Sequence, residues 1–125
     1  MNLKNYIGKG QLLAMNQASR GEEGEYFKTM IAKLKTTLET MPKIYETDGQ
    51  GDEAIAVLHY FSAGSDWWIV EQDMHEEQLQ AFGLACLNGD WLNAEMGFIN
   101  IQELIAYGVE LDLYFRTKPI AEIRK

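Results

Sequence analysis

A histidine in the middle of an apolar segment is the residue best suited to acid–base chemistry in this chain. His59 lies between Leu58 and Tyr60, and an imidazole exchanges protons in the range where many enzymes work. If this segment is one strand of a hairpin, Asp66 or Glu71 lies across from His59 and could orient it as a general base. A lone histidine at such a position is more often structural, and no serine-hydrolase motif or phosphate-binding loop accompanies it. We therefore assign no catalytic residue and expect a function without catalysis.

Three further segments contain residues that could bind metals or act as nucleophiles. Residues 48–53, DGQGDE, place oxygen ligands at alternate positions, but His59 stands where a calcium loop needs a bidentate glutamate. Residues 73–78, DMHEEQ, lack the second histidine that zinc hydrolases carry at helical spacing. Cys86 lies in the apolar run LACL and is typical of a small core residue. The sequence predicts neither a metal nor a cofactor.

The charges of the chain are segregated along its length. Residues 44–115 contain fourteen acidic side chains and no lysine or arginine, whereas residues 1–43 and residues 116–125 each have a net charge of +3. The whole chain has a net charge of −8. The acidic block repels phosphate, so we expect no direct binding to nucleic acid, and it attracts basic surfaces instead. The alternative is that these acids only keep the protein soluble.

Two helices are predicted in the N-terminal part. Residues 9–18 form a short helix, and residues 25–41 repeat apolar residues at intervals of three and four, which is typical of an amphipathic helix. Pro42 ends this second helix. Its apolar face contains Phe27, Ile31, Leu34 and Leu38, which we expect to bury against a sheet.

Strands are predicted in most of the remaining chain. Residues 54–61 and 67–70 form a hairpin, and residues 81–87, 94–101 and 109–115 supply further strands, with a short helix at 102–107. The fold class is α+β: a mostly antiparallel sheet of about five strands packs against a long N-terminal amphipathic helix, with a short helix before the last strand. We expect one domain, 1–125, with a helical part (1–43), an acidic sheet-rich part (44–115) and a basic tail (116–125).

Two adjacent tryptophans indicate where a partner binds. Neighbouring side chains of a strand point to opposite faces, so Trp67 and Trp68 cannot share one. Trp68 shares its face with Val70 and is expected in the core, whereas Trp67 shares its face with an acid and is expected at the surface. Exposed aromatic side chains are typical anchors of protein-binding sites. The residues predicted to bind a partner are Trp67, Tyr60, Glu71, Asp73, Glu76 and Glu77.

Four segments resemble a family of small uncharacterised proteins that plasmids, integrative elements and phages encode. They are AVLHYFSAGSDWWIVEQD, QAFGLACLNGD, AEMGFINIQEL and ELDLYF with the later KPIAEI, and the resemblance covers roughly residues 40–123. These motifs look structural, so the resemblance implies a shared fold and no reaction. It also implies a genomic context, because small acidic accessory proteins of mobile elements often counter host defence.

Together, these features predict a non-enzymatic acidic protein-binding module from a mobile genetic element. Its expected partner is a basic, nucleic-acid-binding host protein, and occupying a basic groove would inhibit a host defence system, as an anti-CRISPR or anti-restriction protein does. Two alternatives stay open: a small-molecule-binding or enzymatic domain with a pocket near His59, Tyr60 and Trp67, or a plasmid housekeeping adaptor. The N-terminal residues do not resemble a signal peptide, no apolar run could span a membrane, and the one cysteine cannot form an internal disulfide. We therefore expect a cytoplasmic protein with no membrane contact.

Overall fold

The protein is an α+β fold built on a five-stranded antiparallel sheet, as the sequence predicts. The computed structural model describes residues 3–125; Met1 and Asn2, which begin the predicted helical part, lie outside the described residues. The strands are β1 Ile55–Ala56, β2 Leu58–Ser62, β3 Ser65–Glu71, β4 Ala81–Cys86, β5 Glu95–Ile99, β6 Glu110–Leu111 and β7 Lys118–Pro119. The sheet has the order β5-β4-β3-β2-β6, and β1 and β7 form a separate antiparallel pair. The edges of the sheet are therefore β5 and β6.

The α-helices of the described residues lie before, within and after this sheet in the sequence. They are α1 Lys9–Ala18, α2 Gly24–Thr40, α3 Ile101–Ala106 and α4 Ile120–Ile123. The predicted helices at 9–18, 25–41 and 102–107 correspond to the first three of these, and the basic tail supplies α4. Asn100 caps α3, because its side-chain oxygen accepts a hydrogen bond from the backbone N–H of Glu103 at 3.0 Å. None of the helices within residues 3–125 has the length and apolarity needed to cross a bilayer.

One face of the sheet, which we call the helix face, packs against the N-terminal segment and helices. Tyr60 and Ile69 are fully buried there with Leu38 of α2. Of the α2 residues expected to bury, only Leu38 is fully buried, whereas Ile31 and Leu34 are half-buried at the margin of this core. The C-terminal half of α2 therefore makes the closer contact with the core.

The opposite face, which we call the aromatic face, has a smaller core and a less complete cover. Trp68, Val70 and Leu84 lie in this core, and Ile120 of α4 is buried against them. The C-terminal residues, expected to be a basic tail, form α4 and thus cover part of the second face. This placement is possible because β7 pairs with β1 at the start of the sheet-rich part.

Two predicted strands are wrong in extent. The strand expected at 109–115 pairs only over Glu110–Leu111, because the side chain of Asp112 accepts a hydrogen bond from the backbone N–H of Tyr114 at 3.0 Å and turns the chain. The strand expected at 54–61 is interrupted at Val57, so that β1 and β2 pair with different strands.

A close backbone contact joins the two central strands, β3 and β4. The pairing of β3 with β4 shifts between Ile69 and Glu71, which marks a bulge. Beside it, a Cβ atom built on Gly83 would lie 1.8 Å from the carbonyl oxygen of Trp68. Only glycine allows this close approach of the two strands.

Candidate functional site

His59 is held between two carboxylates on the aromatic face. Its Nε2 atom lies 2.7 Å from Oδ1 of Asp66, and its Nδ1 atom lies 2.9 Å from Oδ2 of Asp112. The hairpin register supplies the first contact, because His59 pairs with Trp68 and the next position on the same face, Phe61, pairs with Asp66. A backbone bond supplies the second, since the N–H of Asp112 donates to the carbonyl oxygen of His59 at 2.8 Å.

The geometry of this cluster leaves no ring nitrogen for a substrate. An ionised carboxylate only accepts hydrogen bonds, so His59 donates to Asp66 and Asp112 simultaneously only as an imidazolium. The predicted general-base geometry is therefore only half present: Asp66 contacts the ring, but Glu71 lies elsewhere and both nitrogens are occupied. The cluster instead holds a partly buried imidazole ring between two carboxylates.

Aromatic rings extend from the histidine across the face. The imidazole stacks on Trp68, with centroids 5.1 Å apart and planes 11° apart, and Trp68 stacks on Trp91 at 5.5 Å. Phe61 and Phe115 flank the imidazole at 5.9 and 5.6 Å. Phe61 is 40% exposed and Trp91 is 46% exposed, whereas Trp68 beneath them is 8% exposed. The exposed rings of Phe61 and Trp91 thus contact the less exposed rings of His59 and Trp68.

Acidic side chains border these rings. The side chains of Asp66 and Asp112 are 32% and 28% exposed, and Asp90 and Glu110 are exposed. Asp90 caps the 3-10 turn that carries Trp91, since its Oδ1 accepts a hydrogen bond from the backbone N–H of Asn93 at 3.3 Å. We name this region the aromatic–acid surface. It comprises Phe61, His59, Trp68, Trp91 and Phe115 with Asp66, Asp90, Glu110 and Asp112.

Three of the residues predicted to bind a partner are buried and already bonded, so that prediction is corrected for them. Tyr60 is fully buried, and its hydroxyl donates to the carbonyl oxygen of Tyr6. Glu71 is 3% exposed and accepts from the backbone N–H of Thr47 at 2.8 Å. Asp73 is 8% exposed and accepts from two backbone N–H groups in its own loop. Buried carboxylates need such donors, and these three side chains stabilise loops and core instead.

The other three predicted residues do not converge. Trp67 is half-buried and packs against the helix-face core, while Trp68 is buried on the opposite face. Glu76 and Glu77 are exposed in the loop after β3. That loop follows Glu71, which is four residues and therefore about 13 Å along the strand from Trp67. The loop acids do not surround the half-exposed tryptophan.

Part of the aromatic–acid surface could be predicted from the sequence pattern. Alternation along β2 places His59 and Phe61 on one face, and Asp66 was a candidate neighbour of the histidine. Trp91 and Asp112 could not be selected, because one lies in a turn and the other lies where a regular strand was expected. Their positions depend on the fold of distant segments.

Two other chemical possibilities receive no support from the described residues. Burial raises the pKa of the Cys86 thiol, and the nearby carboxylates of Asp66 and Asp90 raise it further, so the thiol stays protonated. Within residues 3–125 no group of three metal-ligating side chains could hold an ion. Asp66 and Asp112 bond to opposite sides of the imidazole ring, which prevents them from meeting at one metal.

No protein-family model, curated protein or solved structure matches this chain.

Proposed function

We propose that this protein is a non-enzymatic protein-binding module and that the aromatic–acid surface is its binding site. The observation that carries the proposal is the exposure of Phe61 and Trp91 above buried Trp68, beside exposed acids. Binding energy at protein interfaces concentrates in aromatic side chains that a well-packed surround supports. The two exposed rings would supply this energy, while the acids would select the partner.

The charge distribution supports a basic partner. Asp90 and Glu110 are exposed at the border of the rings, and residues 44–115 contain no lysine or arginine. Such a surface accelerates association with positively charged proteins and discourages association with acidic ones. Nucleic-acid-binding proteins present the basic grooves that match it. We propose on this basis that the protein inhibits nucleic-acid-targeting host defence, as some proteins of mobile elements do.

The helices support a binding role for the aromatic face, because they cover mainly the opposite face of the sheet. We infer that α2 acts as the main cover of the helix face, through Leu38 and its half-buried neighbours, and leaves the opposite face for recognition. The alternative pocket near His59, Tyr60 and Trp67 is not favoured, because Tyr60 is buried and Trp67 lies on the other face from His59. A housekeeping adaptor would use the same surface and differ only in its partner.

Affinity capture with matched variants tests the proposal. The immobilised protein should retain a basic, nucleic-acid-binding protein from a bacterial host lysate at low salt, and duplex DNA added to the wash should release it. The Phe61→Ala/Trp91→Ala and Asp90→Asn/Glu110→Gln variants should each lose this capture. Glu76→Gln/Glu77→Gln removes the same number of exposed charges at a distant loop and should retain it, as should Tyr107→Ala, whose aromatic ring is 79% exposed.

Two results would contradict the proposal. Equal capture by all variants would show that another surface binds. Capture that neither salt nor DNA weakens would show that the partner is not recognised through a nucleic-acid-binding groove.

A further inference from the structure

A groove of about 420 Å³ lies between α2 and the segment 111–117, away from the rings of Phe61 and Trp91. Apolar side chains line its inner part: Leu34 of α2, Leu58 of β2, Leu111 of β6 and Leu113. Its volume lies within the range of roughly 300–1,000 Å³ that small-molecule sites occupy. The groove is therefore large enough for a ligand of modest size.

The fold explains why this space is open. β6 ends after Leu111, where Asp112 turns the chain, so no long strand fills the space beside β2. On the other side, Leu38 of α2 is fully buried, while Leu34 one turn earlier is half-buried. Helix α2 and the segment 111–117 thus stand apart, and the groove is the space between them.

The rim of the groove is basic, because its cations come from the helical part and the tail and not from the acidic sheet-rich part. Lys33 and Arg116 line it and are exposed, and neither forms an ion pair with a described residue. The one acid in the lining is Asp112, and its oxygens are already occupied by His59 at 2.9 Å and the N–H of Tyr114 at 3.0 Å. Two unpaired cations therefore lie at the mouth of an apolar groove.

We propose that this groove binds an amphipathic organic anion, a small molecule with an apolar chain or ring and one carboxylate or similar group. The apolar body would lie over Leu34, Leu58 and Leu113, and the anionic group would lie between Lys33 and Arg116. An anionic group fits because Lys33 and Arg116 are the basic residues of the groove lining, and they attract negative charge locally. This site shares Asp112 and Phe115 with the aromatic–acid surface, but its two cations and its leucines lie outside that surface, so either proposal can fail without the other.

Titration with decanoate, below its micelle concentration, tests the site by amide NMR of the labelled protein. We expect saturable shifts at the amides of Thr29, Lys33 and Thr117, and at least tenfold weaker binding of decanol, which lacks the charge. Lys33→Gln/Arg116→Gln should weaken decanoate binding at least tenfold. Lys35→Gln removes an exposed charge of the same helix that does not line the groove, and it should bind as the parent does.

A space-filling variant separates loss of charge from loss of space. Thr37→Phe places a ring in the groove from α2 and keeps both cations, so it should abolish binding while the amide spectrum elsewhere shows a folded protein. Shifts confined to Phe61 and Trp91, equal affinity for decanol, or binding that survives both variants would overturn the proposal. Saturable binding of an acidic peptide at the groove without any decanoate binding would overturn it as well, because it would identify a peptide-docking site.

Discussion

The Nδ1 atom of His59 lies 2.9 Å from Oδ2 of Asp112, although the two residues are 53 positions apart in the chain. Together with the backbone bond between the same residues, this contact holds the start of the segment 112–117 against β2. Phe115 of that segment flanks the imidazole on one side and lines the groove on the other. His59 therefore positions the segment 112–117, which contributes residues both to the aromatic–acid surface and to the groove.

Removing this histidine should cost stability and release the segment. His59→Ala leaves the carboxylates of Asp66 and Asp112 without their shared donor, and we expect a loss of about 1–3 kcal/mol in the free energy of unfolding. A double-mutant cycle with Asp112→Asn, measured in urea, should give a coupling energy of about 0.5–3 kcal/mol. Additive single effects would mean that the contact contributes nothing to stability.

The three tryptophans should differ in solvent access and in their contribution to stability. In variants that each retain one tryptophan, acrylamide should quench Trp91 most, half-buried Trp67 less and Trp68 least. Acrylamide is the suitable quencher because the nearby acids repel iodide. Trp68→Ala should lower the free energy of unfolding by about 3–5 kcal/mol, whereas Trp91→Ala should cost about 0.5–1.5 kcal/mol through the lost ring contact. Equal quenching of Trp68 and Trp91 would contradict the arrangement of the stack.

Alkaline pH should destabilise the fold through two buried tyrosines. Burial raises the pKa of Tyr60 above its ordinary value, and burial followed by the charges of Glu76 and Asp73 raises the pKa of Tyr6 to about 12. An unfolded tyrosine ionises near pH 10. Because the folded pKa values are higher, their stabilising contribution is complete below about pH 10 and is lost as the pH rises towards the folded values.

Urea unfolding at a series of pH values between 8 and 12 measures this loss. Tyr60→Phe should make the alkaline decline shallower, since one of the raised groups is gone. Tyr107→Phe, at a residue that is 79% exposed, should leave the decline unchanged. A pH profile that is identical for Tyr60→Phe and the parent would show that this buried hydroxyl does not control the transition.

Gly83 should tolerate no side chain. Gly83→Ala would place a Cβ atom 1.8 Å from the carbonyl oxygen of Trp68, so the central strands must separate, and we expect a loss of about 3 kcal/mol or more. Gly97→Ala on β5 is the matched control, because a Cβ atom there meets nothing within 4 Å. It should leave stability unchanged or raise it by about 0.5–1 kcal/mol. Similar effects of the two substitutions would argue against the close approach of β3 and β4.

Local sequence patterns predict the helices and strands of this fold better than they predict which residues form a binding site. The spacing of apolar residues in α2 and the alternation around the β2–β3 hairpin are local properties, and both elements form where expected. The strand at 109–115 fails because the Asp112 side chain bonds to the backbone and turns the chain. The burial of Glu71 depends on the backbone N–H groups of Tyr45 and Thr47, more than twenty residues earlier, that approach it only in the folded protein. Because the sequence does not reveal these distant donors, Glu71, which other acids follow, was predicted to lie at the surface.

The outer edge of β5 bears on how the protein behaves when concentrated. Within the described residues no strand pairs with that edge, and Glu95 is the only charged residue of its sequence, EMGFI. Open edges of this kind invite pairing between copies, which mutual electrostatic repulsion opposes. The net charge of −8 therefore opposes such pairing, in addition to the recognition that we propose for the acidic side chains. Colloidal stability should be lowest near the isoelectric pH of about 4.7, where this repulsion vanishes and the edge is left unprotected.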